Sequence, residues 1–211
     1  MPENQAHGKA WEKSVLRGVY GLTESEIETI KHTEIHDLPQ FMNKIGNYNL
    51  SIKTTGTAGK VDTGNVQRIF EASGSYTPYH MIVVIYKQDE HVKRLVEILE
   101  LNLSRSRELL FGTVTLEEID ILERLIQSVP KGRSPTPEER RVIYQTRDAI
   151  SGHSGIFNFN PKMDSKTQRR LQGSMKYPED RIITRSSSGN FMGGHVMEEH
   201  ASGRRQRRPR V

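Results

Sequence analysis

The chain has 211 residues, enough for one domain with a substantial core and short of two complete ones. Hydrophobic residues make up 34% and charged residues 27%, a polar balance that stops short of disorder, and no apolar run reaches the ~20 residues of a membrane span. Cysteine is absent, which excludes disulfides, thiolate metal sites and a cysteine nucleophile and leaves carboxylates, histidines and water as metal ligands, a set suited to a hard cation such as Mg²⁺. The opening MPENQAHGKAW lacks the apolar stretch of a signal peptide, so the expected location is intracellular, cytoplasmic or nucleoid-associated, with neither secretion nor membrane insertion. The net charge of +5 conceals an asymmetry. Residues 1–130 carry 14 Lys and Arg against 18 Asp and Glu, a balance of −4, whereas residues 131–211 carry 17 against 8, a balance of +9. The basic half offers a phosphate-binding surface, because each cation set against a phosphate releases counterions. Its alternative reading is a solubilising tail.

In chain order, Trp11, Val15 and Val19 recur every four residues between Lys9 and Tyr20, predicting an amphipathic helix that Gly21 stops. Thr33–Leu38 and Asn49–Thr55 read as strands, the second because Leu50, Ile52 and Thr54 alternate with Asn49, Ser51 and Lys53. Thr54 to Gly64 has the glycine content of a phosphate loop without the P-loop spacing, and reads as a mobile loop. Val66, Ile69 and Phe70 predict a short helix over Asn65–Ala72. Tyr79–Tyr86 is the most apolar stretch, as a strand at the sheet centre covered on both faces would be. After the polar turn Lys87–Glu90, Val92–Leu103 suits either a helix or a partner strand, and the short turn favours a hairpin. Thr115 with Glu118, and Thr136 with Pro137 and Glu139, are capping signals for helices over 116–129 and 137–150. Ile156–Phe159 and Arg181–Arg185 read as short strands. Beyond Ser186 the chain is rich in Ser, Gly and His and ends in five arginines, so the expected organisation is one domain over 1–185 and a flexible basic tail over 186–211.

Chemistry concentrates at Asp37 and Lys53. Neighbouring strands joined by a loop bring residues at this separation to one spot, where a carboxylate holds Mg²⁺ and an ammonium orients water or neutralises phosphorane charge. Asp37, then Ser51-Ile52-Lys53 on a strand, with Glu12 on a preceding helix, resembles the PD-(D/E)xK nuclease superfamily, to which many type II restriction endonucleases belong. The resemblance covers about residues 9–86. It implies an α/β (α+β) fold with a central mixed sheet flanked by helices, an Asp and a second acid as metal ligands, and a lysine assisting the nucleophile. Two positions depart from the pattern: His36 stands where Pro is usual, and Ser51 replaces the second acid. In Ser-x-Lys members a following helix supplies the missing carboxylate, which points to Glu71, 18 residues after Lys53. Catalytic candidates are therefore Asp37, Lys53, Ser51, Glu71 and Glu12, with Asp37, Glu71 and Glu12 as Mg²⁺ ligands. Lys162, Lys166, Gln168, Arg169 and Arg170 form the candidate nucleic-acid contact. The expectation is a Mg²⁺-dependent endonuclease acting on double-stranded DNA, as a homodimer where its site is palindromic. The alternatives are a non-catalytic nucleic-acid-binding or packaging protein and an RNA-directed nuclease. Each candidate also has a bland reading: Asp37 as a turn residue, Lys53, Glu12 and Glu71 as exposed charges, and the basic run as a solvated face.

Overall fold

The computed structural model describes residues 3–30, 36–56, 59–90, 92–163 and 168–201, with side chains from residue 8 onward. In chain order its elements are α1 (Glu3–Gly18), α2 (Glu24–Thr29), β1 (Asn49–Thr55), β2 (Lys60–Asn65), α3 (Val66–Gly74), β3 (Tyr79–Asp89), β4 (Val92–Asn102), α4 (Arg107–Phe111), α5 (Leu116–Ser128), α6 (Pro137–Ser151), β5 (Phe157–Lys162), β6 (Arg170–Lys176), β7 (Ile182–Ser186), β8 (Asn190–Phe191), β9 (Gly194–His195) and β10 (Glu199–Ala201). Among the described residues no helix is long and apolar enough to cross a membrane. The chain forms two compact units where the sequence predicts one domain. The first comprises Met1–Ala58, His80–Asn102 and Pro178–Val211, and the second Gly59–Tyr79 and Leu103–Tyr177. Helices packed on sheets give the expected α/β class, carried by two main sheets in place of one.

In the first unit, α1 forms where Trp11, Val15 and Leu16 bury completely or nearly so, and it ends at Gly18, with Gly21 just beyond at a φ of 63° that suits glycine. Strand order is β1-β3-β4-β10, with β7 also on β4. The apolar run of β3 makes it an interior strand, and Met81, Ile82, Val83, Val84 and Ile85 are buried on both faces. The hairpin reading of β3 and β4 holds, with a ladder from His80 opposite Asn102 to Asp89 opposite Val92. The far edge of β4 is shared. Residues Val92–Arg94 pair with β10, and Ile98–Leu101 with β7.

That edge corrects the expectation of a flexible tail from 186 onward. Residues 186–201 fold, because Phe191 and Val196 sink to 2% and 0% exposure in the cluster around Trp11, Val15, Leu50 and Ile98. Each such burial stabilises by roughly 1.5–3 kcal/mol, enough to order a polar segment with little else to recommend it. The β8–β9 hairpin crosses α1 closely: a Cβ on Gly18 would collide with the His195 carbonyl, and one on Gly194 with the Gly18 carbonyl. The arginines at 204–210 lie outside the described residues, as does most of the expected strand Thr33–Leu38; its described end is a single antiparallel bridge between Leu38 and Leu50.

The second unit has strand order β2-β6-β5, all antiparallel. Thr115 with Glu118, and Thr136 with Glu139, form the capping boxes read from the sequence. Helices α3, α5 and α6 cover one sheet face, where Phe157 and Phe159 meet Phe111 and Phe111 meets Phe70, at centroid distances of 4.4, 6.3 and 5.0 Å in turn. The expected mobile loop over Thr54–Gly64 is a misreading at both ends. Thr54 and Thr55 finish β1, and residues from Lys60 onward form β2, paired with β6 more than a hundred residues away.

Candidate functional site

The site lies in the first unit, at the edge of β1. Leu38 and Leu50 exchange both backbone hydrogen bonds, at 3.0 and 2.9 Å, which lays the segment after Asp37 alongside β1. One carboxylate oxygen of Asp37 then accepts two donors from the Ser51-Ile52-Lys53 tripeptide. The Ile52 N–H reaches Oδ2 at 2.6 Å, and the Lys53 ammonium reaches it at 2.9 Å. Both side chains are about three-quarters buried, 26% and 23% exposed. Charge-assisted bonds in that setting fix the acid and the amine more firmly than a surface pair.

Glu12 joins them from α1, one position after the fully buried Trp11. Its carboxyl is raised from 4.5 to about 7, first by burial and then by the negative charge of Asp37, with Lys53, Lys9 and Lys13 opposing the shift. Acid, amine and second acid therefore share one electrostatic environment. The two lysines on α1 were missed in the sequence, although Lys9 sits three residues before Glu12, on the same helical face.

Ser51 is 3% exposed in β1. Glu71 is an exposed residue of α3 in the second unit, whereas Glu12, Asp37 and Lys53 all belong to the first. Among the described residues no three His, Cys, Asp or Glu side chains group as a metal-holding cluster. The pair Glu12 and Asp37 still matches the way Mg²⁺ is commonly held, by one or two carboxylates with water and substrate phosphate completing the octahedron. An open cleft of about 540 Å³ beside α1, lined by Ala10, Lys13, Ser14, Arg17, Gly18, His195 and Met197, includes none of the three. Of the basic segment, Lys162 and Arg170 face each other across β5 and β6, Gln168 is partly exposed, and Lys166 lies outside the described residues. Arg169 is a correction. It is 7% exposed, with its guanidinium committed to backbone carbonyls of its own unit.

The raised Glu12 carboxyl has a measurable consequence. A group that holds its proton more tightly when folded contributes stability that is complete below about pH 4.5 and is lost as pH climbs through about 7. Ionised Glu12 therefore weakens the fold at alkaline pH. Glu12→Gln, which stays neutral, is expected to melt about 3–6 °C above the parent at pH 8, from ~1–2 kcal/mol after discounting for partial exposure, and level with it at pH 4.5. Melting curves by circular dichroism at the two pH values check this. An equal offset at both would mean Glu12 carries no raised carboxyl.

No family model, curated protein or solved structure matches this chain.

Proposed function

We propose that this chain is a Mg²⁺-dependent endodeoxyribonuclease of the type II restriction-enzyme kind, hydrolysing phosphodiester bonds in double-stranded DNA. The observation that carries the reading is the convergence of Asp37, Lys53 and Glu12, in which a single carboxylate grips the amide and the ammonium of the Ser-x-Lys tripeptide. The Asp37–Lys53 contact and the electrostatic influence of both residues on Glu12 support the reading. The raised Glu12 carboxyl beside this ion pair supports a functional reading of the cluster.

Asp37 and Glu12 would hold the Mg²⁺, which when bound supplies Lewis-acid stabilisation of the phosphorane and a more acidic water. Asp37 is pre-oriented by the Ile52 N–H, so its carboxylate presents a fixed geometry. Lys53 places a cation beside the attacking water and the phosphate oxygens, where it neutralises developing charge. Glu12 must release its proton to ligate, which makes its two charge states part of metal uptake. A homodimer fits a palindromic site.

Purified protein incubated with mixed genomic DNA and Mg²⁺ is expected to give discrete fragments, none with a chelator present, and none with Lys53→Ala. Wild-type cutting by Lys53→Ala rules this site out. Salt-dependent binding with no cleavage under Mg²⁺ or Mn²⁺ favours the second reading, a non-catalytic nucleic-acid-binding or packaging protein, which the +9 balance of residues 131–211 supports. Cleavage of RNA duplexes in preference to DNA identifies an RNA-directed nuclease.

A further inference from the structure

Among the described residues, helices α3, α5 and α6 cover one face of the second unit's sheet. The register of β5, β6 and β2 sorts their side chains into two sets. Phe157, Phe159, Leu171, Met175 and Val61 go to the helical side and are buried. The opposite face is built of rows: Lys162 across from Arg170, Asn160 across from Gln172, Asn158 across from Ser174 and then Asp62, and Lys176 across from Lys60. Asn158, Arg170, Lys176, Asp62 and Lys60 are exposed, Asn160, Gln172 and Lys162 are partly so, and Ser174 is buried among them. The face thus carries carboxamides in the middle and two cations at each end, against one carboxylate. Among the described residues none of these four cations is paired with a carboxylate.

We infer that this sheet face is a DNA-reading surface, with the β5–β6 ribbon entering the major groove, Asn158, Asn160 and Gln172 meeting base edges, and the paired cations at each end meeting the two phosphate backbones. The inference rests on the DNA substrate proposed above and adds a residue-level recognition site to it. Three physical points support it. From Arg170 to Lys176 the strand advances about 20 Å at about 3.3 Å per residue, which brackets a major groove about 12 Å wide and sets a cation pair at either rim. The groove admits a two-stranded ribbon, and among the described residues β5 is an edge strand of this sheet. Asn and Gln are the side chains whose donor and acceptor together match adenine. Asn160 is held by a 3.0 Å bond from its Nδ2 to Ser174 Oγ, which restricts the amide plane. An A-form RNA duplex does not fit, because its major groove is too narrow and deep for side chains to read.

Binding measured by fluorescence anisotropy with chelator present keeps this test independent of cleavage. The probes are a duplex selected by the wild-type protein from a randomised library and a scrambled duplex of equal length. Asn160→Ala and Gln172→Ala are each expected to cut the preference for the selected duplex by about tenfold, with little change on the scrambled one. Lys162→Ala and Arg170→Ala are expected to weaken both duplexes alike and to lower the salt slope by about one each. Asn158→Ala, at an exposed position, is expected to cut the preference in the same way, and all five variants should melt with the parent, which excludes misfolding as the cause. Unchanged preference and unchanged salt slope in these variants overturn the inference, as does tighter binding to duplex RNA. Failure of Mg²⁺-dependent cutting removes the nuclease reading and leaves this surface standing.

Discussion

Asp37→Asn is expected to lower the single-turnover cleavage rate at saturating DNA and Mg²⁺ by at least about a thousandfold, ~4 kcal/mol in the activation barrier, while the protein remains folded. Asparagine keeps the shape of the side chain and one oxygen that accepts the Ile52 N–H, now 2.6 Å from Oδ2. It loses the negative charge that faces Lys53 at 2.9 Å and that raises the Glu12 carboxyl. The stability lost with the ion pair is about 1 kcal/mol, since both partners are partly exposed. Rate and stability therefore separate. Quenched-flow cleavage and thermal melts on the same preparation measure the two, and a rate within tenfold of wild type with normal melting would remove Asp37 from the chemistry. Lys53→Arg should fail as well, because a planar guanidinium cannot occupy the point position of an ammonium.

The candidate site was legible where local signals coincide with tertiary ones. Leu50, Ile52 and Thr54 alternate as an edge strand must, and the 16-residue step from Asp37 to Lys53 is bridged by the Leu38–Leu50 pairing. Capping boxes at Thr115 and Thr136 are similarly local, so α5 and α6 were readable to within a residue or two at either end. Glu71 was legible as a helical acid and no more. Sequence spacing gives the element a residue joins; it does not give the unit that element enters, and the chain leaves the first unit near residue 58 and returns at residue 80. The same blindness hid β2, whose partner β6 begins more than a hundred residues later. In β6 the period of two is present, Arg170, Gln172 and Ser174 against Leu171, Gly173 and Met175. A glycine in the buried set and a run of charges before it hide the strand, so the stretch reads as a basic contact segment or a solvated face. Gly173 is needed there, since a Cβ would strike the Phe157 ring. Phe191 and Val196 show the converse case, in which two apolar residues amid Ser, Gly and His suffice to dock a segment once a crevice awaits them.

Arg169 is the residue on which composition misled most, and its replacement should show how different it is from its neighbour. Arg169→Ala is expected to destabilise the protein by about 3 kcal/mol, lowering the melting temperature by roughly 6–12 °C, whereas Arg170→Ala should stay within ~0.5 kcal/mol of the parent. The guanidinium of Arg169 donates from Nε to the Val129 carbonyl at 3.0 Å, from Nη2 to those of Pro130 and Arg133 at 2.9 and 2.6 Å, and from Nη1 to those of Gln168 and Met163 at 2.7 and 3.4 Å. One side chain thereby joins the turn after α5 to the chain leaving β5 and entering β6. The carbonyls just past the end of α5 carry the negative end of its dipole, which favours a cation there. Alanine leaves several buried acceptors unmet at once. Lysine, with three donors on a flexible stem, should recover only part of the loss, because the planar fork is what reaches all three segments. Denaturant titrations of the three variants decide the matter. Equal stability of Arg169→Ala and Arg170→Ala would mean that neither is structural, and the expected opposite pattern in DNA affinity, lost at Arg170 and kept in folded Arg169→Lys, separates the residue that builds the sheet from the one that uses it.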